Sequence, residues 1–138
     1  SWAGLGSGMT GDVYAIAVDD NGDVYAGGSF TAADNQPARN IAVWDGITWS
    51  PIGVPGMHYP YAPSEVLSLV VRDGILYAGA PFLRTIAGSF AYPTRWDGST
   101  WAIPGSGNVV GRVQAIALDE HGEALIGGAF ILPPSGSR

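Results

Sequence analysis

The sequence predicts an all-β chain built from repeated four-stranded antiparallel units of about 50 residues. Three observations predict it. The hairpin text of Gly11–Phe30, GDVYAIAVDDNGDVYAGGSF, returns at Gly111–Phe130 as GRVQAIALDEHGEALIGGAF and more loosely at Ser64–Phe82 as SEVLSLVVRDGILYAGAPF. A second signature alternates with it: WDGITW at 44–49 and WDGSTW at 96–101. The spacing is regular, with 100 residues from Val13 to Val113 for two units and 52 from Trp49 to Trp101 for one. Four short strands in each period match the blades of a β-propeller.

The elements follow in order. Val13–Val18 is apolar on both faces, as a strand covered on both sides should be. Asn21-Gly22 supplies the positive φ angles of a two-residue hairpin turn, and Asp23–Gly28 is the return strand. Gly27-Gly28 and Gly127-Gly128 have no side chains and suit a close backbone approach. Ser29 to about Asn40 is a polar loop; Ile41–Trp44 and Thr48–Ile52 are the third and fourth strands. A four-residue loop, Asp45–Thr48, would set Trp44 opposite Trp49; a turn of only Asp45-Gly46 would leave them diagonal. Ile47 is replaced by Ser99 in the next copy, which favours the longer loop.

The second unit comprises Glu65–Val71, Ile75–Ala80, Thr94–Trp96 and Thr100–Ile103. Its first turn, Arg72-Asp73-Gly74, is one residue shorter than Asp19–Gly22, so either a bulge is missing or the register slips. It also carries Gly79-Ala80 where the other units have Gly-Gly. The third unit supplies Val113–Leu118 and Glu123–Gly128. The expected layout is therefore the last strand of a preceding blade over 1–10, a blade over 11–53, a second over 64–104 and half a blade over 111–130. Three units do not close a ring, which takes about four to eight blades. A segment of a longer chain, or an assembly of copies, is the expectation. Ala15, Ala17, Ala115 and Ala117 lie on first strands, where small residues would suit a crowded axis.

The composition narrows the function classes. The chain has 6 Arg and no Lys against 12 acidic residues, a net charge of -6. Phosphate backbones and anionic membranes attract clustered cations, so nucleic acid and membrane surfaces are not the expected partners. There is no Cys, hence no disulfide framework or thiolate metal site. Asp19-Asp20-Asn21-Gly22-Asp23 looks superficially like a Ca²⁺ loop. Phe30 stands where the twelfth-position Glu would be needed, and the second unit has Arg72-Asp73-Gly74, so these read as hairpin turns and no metal or cofactor is expected. His58 and His121 form no zinc pair or nucleophile motif.

The apolar strand ending in Gly-Gly, with a Trp some 16 residues later, resembles kelch-type repeats. The fuller text, from GDVYAIAVDDNGDVYAGGSFT through NIAVWDG to Trp49, looks like the kelch-like extracellular repeats of bacterial surface and secreted proteins and of a fungal cortical marker. The WDG-x-TW hairpins are also similar to the Asp box of sialidase-type propellers, one residue short between Asp and Gly, where that box is a turn and not a catalytic site. The resemblance implies an extracellular or cell-surface location and a non-catalytic structural or binding module contacting proteins or glycans. A carbohydrate-active propeller enzyme or a propeller lectin is the alternative. Trp44, Trp49, Trp96 and Trp101 are expected to pack between blades rather than stack on sugars. In such a unit the long connections Ser29–Asn40, Gly53–Ser64, Pro81–Pro93 and Gly105–Val110 share one end, the natural place for a ligand. Candidate contact residues there are His58, Tyr59, Tyr61, Arg39, Arg84 and Tyr92.

Overall fold

A computed structural model of the chain describes residues 2–53, 65–81, 83–85, 88–90, 94–102 and 110–131. The described residues are all-β, with antiparallel pairing throughout and no helix. Strands β1 (Met9–Val18), β2 (Val24–Ala33), β4 (Ile41–Trp44) and β5 (Trp49–Pro51) form the first sheet in that order, and the short β3 (Gln36–Pro37) folds back on β2. The second sheet has the same succession: β6 (Ser68–Arg72), β7 (Ile75–Gly79), β10 (Thr94–Trp96) and β11 (Trp101–Ala102). A small hairpin, β8 (Leu83–Thr85) with β9 (Gly88–Phe90), lies between β7 and β10 in sequence. The third sheet is the hairpin β12 (Val110–Leu118) and β13 (Ala124–Ile131). Strand β6 packs between β1 and β12, so the first strands of the three sheets are neighbours.

The turns differ from expectation in an instructive way. Val18 pairs with Val24, and the loop between them closes through the Gly22 N–H on the Asp19 carbonyl at 3.1 Å. Only Gly22 takes positive φ there, so this is not the two-residue Asn-Gly turn, which needs it at both central positions. Asp19 instead spends its carboxylate on the loop, its Oδ1 accepting the N–H groups of Asn21 and Asp23 at 2.9 and 3.0 Å. Asp119 repeats this with His121 and Glu123. The shorter turn of the second unit is the true two-residue one: Asp73 and Gly74 have φ of 52° and 77°, and Arg72 pairs with Ile75. The register does not slip, because Val71–Leu76 occupies the place of Val18–Val24.

Two boundaries also move. Strand β1 starts at Met9, inside the stretch expected to belong to a preceding unit, and the described residues 2–8 form no strand. The polar loop after Gly28 is largely strand: β2 runs on to Ala33, and Asp34-Asn35, with φ of 50° and 61°, turn it into β3. Asn and Asp tolerate that left-handed conformation better than other side chains.

Strands β1 and β12 each carry an extra residue. Val13 pairs with Gly28 but Ala15 with Gly27, leaving Tyr14 unopposed, and Gln114 is skipped in the same way in β12. The glycine pair sits opposite each bulge. A Cβ on Gly28 would run into the carbonyl oxygen of Asp12, and one on Gly128 into that of Arg112. The second unit has Ala80 at this place, and its paired first strand starts only at Ser68, past the position of the bulge.

Two apolar clusters hold the sheets. One lies on the first sheet and joins Phe30, Ala26, Ala33, Ala38, Ala42 and Trp49. The other lies between the first and second sheets, with Ile41, Tyr25 and Ile52 meeting Val66, Leu76 and Trp101. The crowding expected of the first-strand alanines is not found: Ala15 and Ala17 are half-buried, while Ala115 and Ala117 are exposed. Among the described residues, β1 and β12 each have only β6 as a neighbouring first strand.

Each tryptophan pair closes its outer hairpin. Trp44 is the register partner of Trp49, with ring centroids 5.6 Å apart, and Trp96 of Trp101 at 5.5 Å. The four-residue loop is the one present. Asp45 accepts the N–H groups of Thr48 and Ile47, each at 2.8 Å, and Asp97 those of Thr100 and Ser99 at 2.9 and 2.8 Å. These bonds hold both carboxyls below their ordinary pKa of 3.8. A depressed folded-state pKa gives stability that is complete above the unfolded value and lost as pH falls through the folded one. The melting temperature should therefore fall as acid is added below about pH 4. Asp45→Asn with Asp97→Asn keeps an acceptor in each turn and removes its titration, so thermal melts from pH 6 to 2 should show a shallower acid limb. An unchanged limb would assign the acid sensitivity to other carboxylates.

Candidate functional site

The residues singled out for ligand contact are not assembled into one site among the described residues. His58, Tyr59, Tyr61 and Tyr92 lie outside them. Arg84 falls on β8, and Arg39 is exposed on the short link between β3 and β4. Trp96, Trp101, Gly27 and Gly28, by contrast, meet at a different feature, the joint between successive sheets, whereas Trp44 and Trp49 pack on the first sheet's own cluster.

This joint occurs twice with the same parts. The Val66 N–H donates to the Gly28 carbonyl at 3.1 Å, and the Val113 N–H donates to the Ala80 carbonyl at 3.0 Å. Both valines occupy the position that Val13 has in the first unit, and both are fully buried. Each seats its side chain where a glycine lacks one. A Cβ on Gly27 would collide with Cγ1 of Val66, and one on Gly79 would stand 2.9 Å from Cγ1 of Val113. Leu69 flanks the first seat, its Cδ1 3.1 Å from the same imagined Cβ. The use of Gly-Gly thus divides in two: the first glycine receives the next sheet's valine, and the second clears the bulge of its own sheet.

Arg72 adds a polar contact to the second joint. Its Nη1 and Nη2 donate to the carbonyls of Asp119 and Glu120, at 2.7 and 3.3 Å, bridging the first turn of one unit to that of the next. This residue stands where the other units have Asp19 and Asp119, and the change of charge was the one signal in the sequence that could have marked it.

The first sheet carries the valine side of a joint without its glycine. Val13 is 41% exposed, Ile16 64% and Val18 58%, whereas Val66 and Val113 are at 0%. Val13 and Ile16 line a hollow of about 350 Å³, together with Met9, Val24, Ala26 and Trp49. Leu5 and Gly8 border it, and their segment is tied down: Trp49 Nε1 donates to the Leu5 carbonyl at 2.9 Å, and Asp34 Oδ1 accepts from both the N–H and the hydroxyl of Ser7. Those two bonds, the N–H first, lower the Asp34 pKa. The lining is apolar, and no group of three or more metal-ligating side chains occurs among the described residues. Such a surface can bury another apolar face; it offers no acid–base pair and no cation site. Tyr25, on the opposite face of this sheet, has its pKa raised by burial and by the neighbouring Asp19 and Asp23 carboxylates.

No protein-family model, curated protein or solved structure matches the chain.

Proposed function

We propose that the chain is a non-catalytic, kelch-like β-propeller segment of an extracellular or surface protein, a scaffold whose sheets are blades and whose long connections meet protein or glycan partners. One observation carries this reading: the valine-in-glycine joint, made twice with the same valine and glycine and the same backbone bond between successive sheets. A joint that repeats with a constant geometry turns each unit relative to the last by a constant step, which is how repeat architectures build rings and solenoids. The neighbouring first strands β1, β6 and β12 then belong nearest the axis. The extracellular or surface location follows from the resemblance of the repeat text.

A crystal structure of the chain should show the three sheets related by a common rotation axis with β1, β6 and β12 innermost; sheets stacked without such an axis would sink the propeller reading. Incubation with a panel of chromogenic glycosides should give no turnover. Turnover abolished by substituting a single carboxylate would replace the scaffold with the carbohydrate-active alternative.

A further inference from the structure

We propose that Asn21 is a latent modification site: its side-chain amide can be lost as ammonia to the main-chain nitrogen of Gly22, and the hydrogen bonds of Asp19 hold that reaction in check while the first hairpin loop stays closed. The proposal rests on this loop alone and not on the propeller reading.

Asn21-Gly22 is the one Asn-Gly pair in the sequence; Asn35, Asn40 and Asn108 precede Gln, Ile and Val, whose side chains crowd the attacking nitrogen. Both residues of the pair are exposed, and nothing stands near the missing Cβ of Gly22. The step needs only water as co-reactant. The Gly22 nitrogen gives up its proton to solvent and attacks Cγ of Asn21. The new N–Cγ bond closes a succinimide ring, and the side-chain nitrogen leaves as ammonia with a proton from solvent. Water then opens the ring at either carbonyl, leaving aspartate or isoaspartate at position 21. Asp45, Asp73 and Asp97 also precede glycines, but an ionised carboxylate is a poor target for an anionic nitrogen.

The closed loop opposes each requirement of this step. The Gly22 N–H, whose proton must leave, donates to the Asp19 carbonyl at 3.1 Å. The N–H groups of Asn21 and Asp23 donate to Asp19 Oδ1 at 2.9 and 3.0 Å, fixing the main chain on both sides of the reacting nitrogen. The Asp19 N–H donates in turn to the Asp23 carbonyl at 3.1 Å, and the Tyr25 hydroxyl reaches Asp19 Oδ2 at 3.5 Å. Tyr25 packs against the cluster between the first two sheets, so the latch is continuous with their joint. Asp19, Asp20 and Asp23 also crowd the loop with negative charge, which disfavours the nitrogen anion. The third unit keeps the same bonds around Asp119 but has His121 before Gly122, and therefore no amide to lose. An isoaspartyl link lengthens the main chain by a methylene and adds a carboxylate beside the others, so a loop that has opened and reacted does not close as before. The modification is a one-way record of loop opening, at a rate set by the fraction of time the loop is open.

The test incubates the folded chain beside an unfolded reference peptide of residues 16–26 at mildly alkaline pH. Ammonia release and peptide mapping for aspartate and isoaspartate at position 21 give the two rates. The folded chain should react at least roughly tenfold more slowly, the factor that a closing free energy of about 1.4 kcal/mol supplies. Asp19→Ala should bring the rate toward that of the peptide, whereas Asp19→Asn, which keeps an oxygen acceptor, should stay nearer the parent; circular dichroism verifies the fold of both. His121→Asn installs the same dipeptide where Asp119 makes the same bonds, and it should give a second slow site. If Asp19→Ala does not fold, hydrogen exchange at the Gly22 amide of the parent takes its place, and it should be slowed by a similar factor because both reactions wait on the same bond. A folded parent that reacts as fast as the peptide overturns the proposal. So does protection undiminished in a folded Asp19→Ala, fast reaction at the site installed by His121→Asn, or a Gly22 amide that exchanges freely.

Discussion

Trp101→Ala should destabilise the chain by about 3–5 kcal/mol, the range for truncating a large aromatic in a packed core. Trp101 is 4% exposed and belongs to the cluster that joins the first two sheets, with Val66, Leu76 and Ile41 around it. Its ring also faces Trp96 across β10 and β11. Removing it leaves a void bounded by two sheets that the Val66–Gly28 backbone bond ties together, so the site cannot simply collapse. Trp96 is only half-buried, and Trp96→Ala should cost clearly less. Urea titrations followed by circular dichroism measure both at once. Equal losses for the two would mean that the pair acts only within its hairpin and that the inter-sheet contact contributes little.

The paired tryptophans were legible in the sequence because their partner is five positions along the same hairpin, and the substitution of Ile47 by Ser99 already pointed to a four-residue loop. The hairpins were legible for the same reason: Val13–Val18 and its return strand announce each other locally. What the sequence hid is what depends on the next unit. Gly27 could be read as a place of close approach, but not as the seat of Val66, which lies 39 residues further on. The exposure of Ala115 and Ala117 was equally hidden, since burial on a first strand comes from the neighbouring sheet and not from the strand itself. Local chemistry misled in one place. Asn21-Gly22 has the residues of a two-residue turn, yet Asp19 captures the N–H groups of Asn21 and Asp23 and stabilises a wider loop with one residue in the left-handed region. The candidate ligand residues were chosen from loop length and aromatic content, and of the six, four lie outside the described residues.

The glycine seats give the most discriminating result. Gly27→Ala should destabilise by roughly 1–3 kcal/mol, as overpacking does, because the new methyl meets the Val66 side chain at the joint. Gly28→Ala should cost at least as much, since its methyl meets the backbone of Asp12 and Val13, which cannot rotate away as a side chain can. Gly127→Ala introduces the same methyl at the same place in the third unit, where among the described residues only the Ala115 Cβ lies in ordinary contact at 3.9 Å. It should be neutral or stabilise by up to about 1 kcal/mol, because alanine loses less backbone entropy than glycine on entering a strand. The three substitutions are identical in chemistry and differ only in what faces them, so intrinsic strand preference cancels from the comparison. Pairing Gly27→Ala with Val66→Ala should cost less than the two losses added together, the coupling expected of residues that touch. Chemical denaturation at a concentration low enough to keep the chain monomeric reads all four. If Gly27→Ala and Gly127→Ala cost the same, the seat is not specific to the occupied joint, and the correspondence between inner and outer sheets fails with it.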